Sequence, residues 1–233
     1  KNVTWEKKGT WNAGIDATLF NRLLNVNMEY YISNTHDILL AFPMAMSTGF
    51  TGYNANIGSM KNTGVEATIR LNWLQKHNMQ GSSTLMLYTN KNTVTALTGD
   101  QDEISGTQTI KVGMPIYTYN IVKTAGVDPA TGQQLYWAYK KDDKGERIEG
   151  SDYVTANKTE AQNSKYYLDS RAPKFQGSFG SDFQFGPVDF SFLTTFSYGG
   201  HVYESVYAQT MEAMYYGDTW NKQILRRWQK PGD

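Results

Sequence analysis

Long stretches of this sequence alternate between apolar and polar residues, and no other feature restricts its fold as tightly. From Trp11 the apolar set is Trp11, Ala13, Ile15, Ala17 and Leu19, interleaved with Asn12, Gly14, Asp16 and Thr18. Successive side chains of a strand point to opposite faces, so this segment reads as a ribbon with one oily side and one wet side. Asn21-Arg22 reads as a short turn. The chain then returns with Leu24, Val26, Met28, Tyr30 and Ile32 on one face and Asn25, Asn27 and Glu29 on the other. The pair is a hairpin whose two apolar faces coincide.

The pattern recurs twice. Val65, Ala67, Ile69, Leu71 and Trp73 alternate with Gly64, Glu66, Thr68, Arg70 and Asn72. A turn at Lys76-His77-Asn78 leads into Met79, Gly81, Ser83, Leu85 and Leu87, where the contrast is weaker. Near the end, Phe175, Gly177, Phe179, Phe183 and Phe185 oppose Gln176, Ser178, Asp182 and Gln184. Gly186-Pro187 turns the chain into Val188, Phe190, Phe192, Thr194 and Phe196 against Asp189, Ser191, Thr195 and Ser197, with Leu193 breaking the rule.

Each regular run covers roughly the 9–11 residues that a tilted membrane strand needs. A soluble sandwich uses strands of about 5–6 residues. The connections are also lopsided. Three turns are short, whereas residues 41–62, 93–173 and those after Tyr198 read as long connections on the opposite side. Trp73 and Leu19-Phe20 fall beside the short turns, and Trp11, Tyr30, Tyr88 and Tyr198 near the other strand ends, as rings at two membrane–water interfaces would. The expectation is an all-β protein: a segment of an antiparallel transmembrane β-barrel with short periplasmic turns and long extracellular loops.

Composition supports this by exclusion. A mean hydropathy of −0.55 is too low for a helical membrane protein. The 22 basic and 22 acidic residues cancel, so no basic surface points to nucleic acid. The absence of cysteine removes disulfides, thiolate metal sites and a cysteine nucleophile. The rival expectation is a soluble or secreted all-β carbohydrate-binding module, which would use the same aromatic residues without a membrane.

Several segments resemble a known family. Trp5-Glu6 ahead of the strand from Asn12, Asn56-Ile57-Gly58-Ser59-Met60-Lys61-Asn62-Thr63-Gly64-Val65-Glu66 and Asn90-Lys91-Asn92-Thr93-Val94 resemble SusC/RagA-type TonB-dependent transporters. So do Ala125-Gly126-Val127-Asp128-Pro129-Ala130-Thr131-Gly132 and Arg226-Arg227-Trp228-Gln229-Lys230-Pro231-Gly232-Asp233. The segments keep the family's order along essentially the whole chain. The resemblance implies a bacterial outer-membrane barrel of 22 strands closed by a plug, a SusD-type surface lipoprotein as lid, and energy delivered by the TonB complex. It implies import of glycans or peptides and no cofactor. It also implies that residues 1–233 are part of a single barrel domain, with the plug and closing strands outside this sequence.

No catalytic or metal-binding constellation is evident, so an enzyme is not expected. His36, His77 and His201 are far apart and lack partner motifs. Asp142-Asp143-Lys144-Gly145-Glu146 lacks the alternating acids of a calcium loop and reads as a solvated turn. Two residue sets remain as candidates. Asp16, Glu29, Glu66, Arg70, Asp182 and Asp189 fall on the wet side of their strands, where they would line a substrate path, grip a plug or simply make the wall polar. Tyr136, Trp137, Tyr139, Tyr215, Tyr216 and Trp220 fall in long connections, where they would stack on cargo, anchor a partner or pack on one another.

Overall fold

The computed structural model describes residues 3–44, 46–50, 52–97, 103–212, 217 and 219–233. The chain divides into two compact units, one of Lys1–Thr118 with Asp169–His201 and one of Tyr119–Leu168 with Val202–Asp233.

The first unit is dominated by a six-stranded antiparallel sheet. It uses β1 (Lys7–Leu19), β2 (Leu24–Pro43), β3 (Gly52–Lys76) and β4 (Met79–Leu97) in chain order. Between β4 and the sheet's last two strands come the short strands β5 (Glu103–Ser105), β6 (Gln108–Ile110), β7 (Thr118–Ile121), β8 (Lys123–Val127), β9 (Gln134–Ala138) and β10 (Tyr153–Thr155). Helix α1 (Lys158–Asn163) and β11 (Tyr166–Ser170) follow. The sheet is then completed by β12 (Phe175–Phe185), which pairs with β4, and β13 (Val188–Tyr198), which pairs with β12. Helix α2 (Ser205–Met211) lies beyond it.

Register explains why one face is apolar from strand to strand. Directly paired residues of antiparallel strands share a face. One such row runs Ile15, Met28, Ala67, Leu87, Gly177, Phe196, and the next runs Ala17, Val26, Ile69, Leu85, Phe179, Thr194. A soluble sandwich would bury these side chains under a second layer. Here none of them is buried; Ile15 is 69% and Met28 45% exposed. Among the described residues no second layer packs on this face.

Rings border the apolar face at both ends. At one end Trp11 meets Tyr30 edge-on at 6.4 Å, and Phe175 stacks on Tyr198 at 5.2 Å. At the other, Trp73 stacks on Phe183 at 5.9 Å and its Nε1 donates to Ser83 Oγ. Trp73 lies over Gly81, where a Cβ would stand 2.5 Å from the ring. From Trp11 to Leu19 the strand advances roughly 27 Å, which at a barrel's tilt projects to roughly 20 Å, most of the height of a lipid-facing band. Tyr88 does not belong to these borders. It pairs with Glu66 and Gln176 on the polar face, because it sits one residue after Leu87.

The three turns hold. The first spans Phe20 to Leu23, with Phe20, Asn21 and Arg22 all at positive φ, and Asn72 fastens it by donating from Nδ2 to Arg22 O at 2.7 Å. The others join Lys76 to Met79 and Phe185 to Val188. Two long connections differ from expectation. Residues 41–62 are largely strand: β2 and β3 continue as a hairpin past a bulge at residues 35–38, leaving only a short tip. Ile38-Leu39-Leu40-Ala41-Phe42 is apolar at every position, so the extension of β2 offers no alternation to a search tuned to it. Residues 93–173 likewise carry the end of β4, seven short strands and α1 rather than a structureless loop.

The bulge is fastened by the chain's start. Asn56 receives Thr4 N–H at 2.8 Å and donates to Thr4 O at 2.9 Å, Glu6 accepts from Leu39 N, and Lys7 pairs with Asp37 at 3.1 Å.

In the second unit, β9 lies between β8 and β10. α1 is capped by Asn157, whose side chain accepts from the N–H groups of Thr159 and Glu160. Ala138, Ala161 and Ile224 are buried in this unit. No helix among the described residues is long and apolar enough to cross a membrane.

Candidate functional site

The polar face of the large sheet gathers all six strand residues singled out above. Asp16 stands opposite Asn27 and accepts its Nδ2–H at 2.5 Å. Glu29 stands opposite both Gly14 and Glu66 and accepts from Asn12 Nδ2. Arg70, between Asn25 and Thr84, donates from Nε to Asn72 Oδ1 at 3.2 Å and from Nη2 to Ser82 Oγ at 3.1 Å. Asp182 faces Ser82 and Ser191, and Asp189 faces Gln184.

Most of this face bonds to itself. Thr10 donates to Ser33, Thr18 to Asn25, Tyr31 to Asn90, and Asn92 to Asn62. These cross-strand pairs answer the needs of polar side chains on neighbouring strands. Glu66, Asp182 and Asp189 differ: each accepts no hydrogen bond and forms no ion pair among the described residues.

The face is hollowed in three places. A concavity of about 620 Å³ includes Glu66, Thr68, Tyr88, Gln176, Ser178 and Thr195. A second, of about 400 Å³, includes Lys8, Asn12, Glu29, Tyr31, Glu66 and Asn90. The third, of about 340 Å³ near the short turns, includes Arg70, Gln80, Ser82, Asp182, Gln184 and Asp189.

Sequence reading missed the amide and phenol ladder on this face. Asn62, Thr63 and Gly64 pair in order with Asn92, Lys91 and Asn90. Gly64 leaves room for the Tyr31 ring, since a Cβ there would stand 2.5 Å from the Tyr31 hydroxyl and 2.2 Å from Thr89 O. The two segments were visible as motifs, but only the register shows that they interlock.

The aromatic candidates of the second unit have a different environment. Tyr139 meets Tyr166 edge-on at 5.2 Å, and its hydroxyl donates to Lys165 O at 2.9 Å. The Arg147 guanidinium lies 5.3 Å from the Tyr139 ring and 5.0 Å from the Tyr166 ring. Lys123 Nζ lies 5.5 Å from the Trp137 ring. Asp152 closes the group, accepting from the Tyr166 hydroxyl and from Arg147, both at 2.6 Å. These bonds hold the Asp152 carboxyl below its ordinary range, the Tyr166 contact first and Arg147 second. Burial, followed by the bond to Asp152, pushes Tyr166 up to about 12. Trp137 and Tyr139 are thus engaged by packing within the unit. Tyr136 is half-buried in β9, and Trp220 is exposed. Tyr215 and Tyr216 lie outside the described residues.

Two family-like segments meet in the same unit. Asp128 accepts from Ala130 N and Thr131 Oγ1, which lowers its carboxyl pKa, the Thr131 bond first. Gly132, at φ +74°, has the Trp228 ring within 2.4 Å of where a Cβ would stand. Trp228 Nε1 donates to Pro129 O at 2.9 Å. The Asp142-to-Glu146 segment is a hairpin turn in which Asp142 Oδ1 accepts the N–H groups of Lys144 and Glu146. No group of three possible metal ligands occurs among the described residues.

No protein-family model matches the chain. It is 24% identical over its whole length to the TonB-dependent receptor P39 of Formosa agariphila, covering 26% of that protein. It is 27% identical to the TonB-dependent receptor SusC of Bacteroides thetaiotaomicron over 87% of the chain, covering 20% of that protein. A solved structure of the RagAB peptide transporter superposes on 98% of the chain with a TM-score of 0.82 at 22% identity, covering 25% of the matched chain. The chain thus spans about a quarter of the length of these relatives.

Proposed function

We infer that this stretch, by sequence and fold of the SusC/RagA type of TonB-dependent transporter, forms part of the wall of an outer-membrane barrel that imports glycans or peptides. The observation that carries this reading is the contrast between the sheet's two faces. One is apolar, bordered by rings and uncovered; the other is polar, hollowed and cross-bonded. Lipid asks for the first and a water-filled lumen for the second.

Within this reading Asp16, Glu29, Glu66, Arg70, Asp182 and Asp189 line the cargo's path or hold the plug. Tyr136, Trp137, Tyr139, Tyr215, Tyr216 and Trp220 belong to the extracellular side, where a SusD-type lipoprotein would present cargo. TonB would act through the plug, outside this stretch, and the stretch itself acts as wall and rim rather than as an enzyme. The relatives' names support transport, as receptors and as a peptide transporter.

The test is labelling of the whole transporter in bilayers with a lipid-confined carbene probe and a water-soluble one. Ile15, Leu71 and Phe192 should take the lipid probe, and Thr68 and Ser191 the aqueous one. The reverse pattern, or aqueous labelling of both faces, would overturn the proposal.

A further inference from the structure

The charges on the polar face are unevenly satisfied. Asp16 and Glu29 are bonded to asparagine amides, and the Arg70 guanidinium is occupied by Asn72 and Ser82. Glu66, Asp182 and Asp189 remain unpaired among the described residues. They are also spread along the wall. Glu66 borders the two larger hollows, one of which reaches Tyr31 and Lys8, while Asp182 and Asp189 border the hollow near the short turns. Five carboxylates stand on this face, Asp16, Glu29, Glu66, Asp182 and Asp189, against two cations, Lys8 and Arg70, which share hollows with them, so the balance of charge is negative.

We propose that this wall is cation-attracting: it favours solutes bearing positive charge and repels polyanions along the path. The proposal rests on the import reading above, because it requires the polar face to border water. The physical basis is focusing. Like charges lining a low-dielectric passage raise the local concentration of counter-charged solutes, and rings of acidic side chains select cations in pores by the same means. Neutral amides and hydroxyls, which make up most of the face, contribute no net charge.

A reporter thiol reads this potential without knowledge of the cargo, and the stretch contributes no cysteine to interfere. In the whole transporter, Thr68→Cys places a thiol one position along the face from Glu66, and Ser191→Cys places one opposite Asp182 and beside Asp189. Each is reacted with a cationic and an anionic methanethiosulfonate of similar size, with rates normalised to a free thiol. The cationic reagent should be preferred roughly ten-fold at both sites. Glu66→Gln should reduce the preference at the first site alone, and Asp182→Asn with Asp189→Asn at the second alone.

Equal rates in the unsubstituted background, or a preference untouched by neutralisation, would overturn the proposal while leaving the lumen intact. Thiols at Thr68 and Ser191 that react with neither reagent, with Ile69→Cys reacting instead, would overturn the import reading itself and this proposal with it.

Discussion

On the import reading, the two units of this chain solve the same problem in different solvents. In the large sheet, long strands carry apolar side chains that nothing covers, and order comes from backbone ladders and cross-strand pairs. In the second unit the strands are short and small residues are buried. There, rings pack on cations and on glycine, as in water-soluble domains. The difference teaches that uncovered apolar area is a defect or a requirement depending on the medium, and that the medium can be read from which face is hydrogen-bonded.

Substitution at adjacent positions breaks this comparison most forcefully. Ile69→Arg should destabilise the whole transporter in bilayers by about 2–4 kcal/mol, the cost of a charge at the lipid midplane. Thr68→Arg, one residue away on the wet face, should cost far less. Equal costs in urea unfolding from vesicles would remove the distinction between faces. In the second unit, Trp228→Ala should cost about 2 kcal/mol, through the lost contact with Gly132 and the lost bond to Pro129. Hydrogen exchange of residues 128–133 should rise with it; unchanged protection there would show that the two segments do not support each other.

A smaller effect concerns the cross-strand ladder. Asn62→Ala removes the acceptor that Asn92 and Asn90 share and should cost about 1 kcal/mol, with the strands still paired. The smallest effect is a pH response confined to the second unit. Tyr166 titrates near 12 in the folded state, above a free tyrosine. Its contribution is therefore complete below about pH 10 and is lost as pH rises toward 12. Asp152 is shifted the other way, so its contribution is complete above the ordinary carboxylate range and fades as pH falls through its lowered value. Tyr166→Phe should abolish the alkaline loosening, measured as exchange in β9 and β11. A loosening that persists would assign it to another group.

Alternation made the three hairpins and the two faces legible, because register along a strand is fixed by period two once one residue is placed. It could not show where β2 and β3 end, since from Ile38 to Phe42 β2 is apolar at every position and carries no period-two signal. Nor could it place Tyr88, which read as an interface ring but pairs with Glu66. The charged candidates were legible as face-sharing residues. Which of them are unpaired was not, because Asn12, Asn27, Asn72 and Ser82 reach them across strands or past a bulge. The docking of Trp228 on Gly132 was beyond any local pattern, as nearly a hundred residues separate them.

The cross-bonded wall has a kinetic consequence. A surface whose donors and acceptors already answer one another offers a passing molecule few places to grip. Away from Glu66, Asp182 and Asp189, a contact must displace an existing one, which shortens residence there. On the import reading, such a lining guides a solute without holding it.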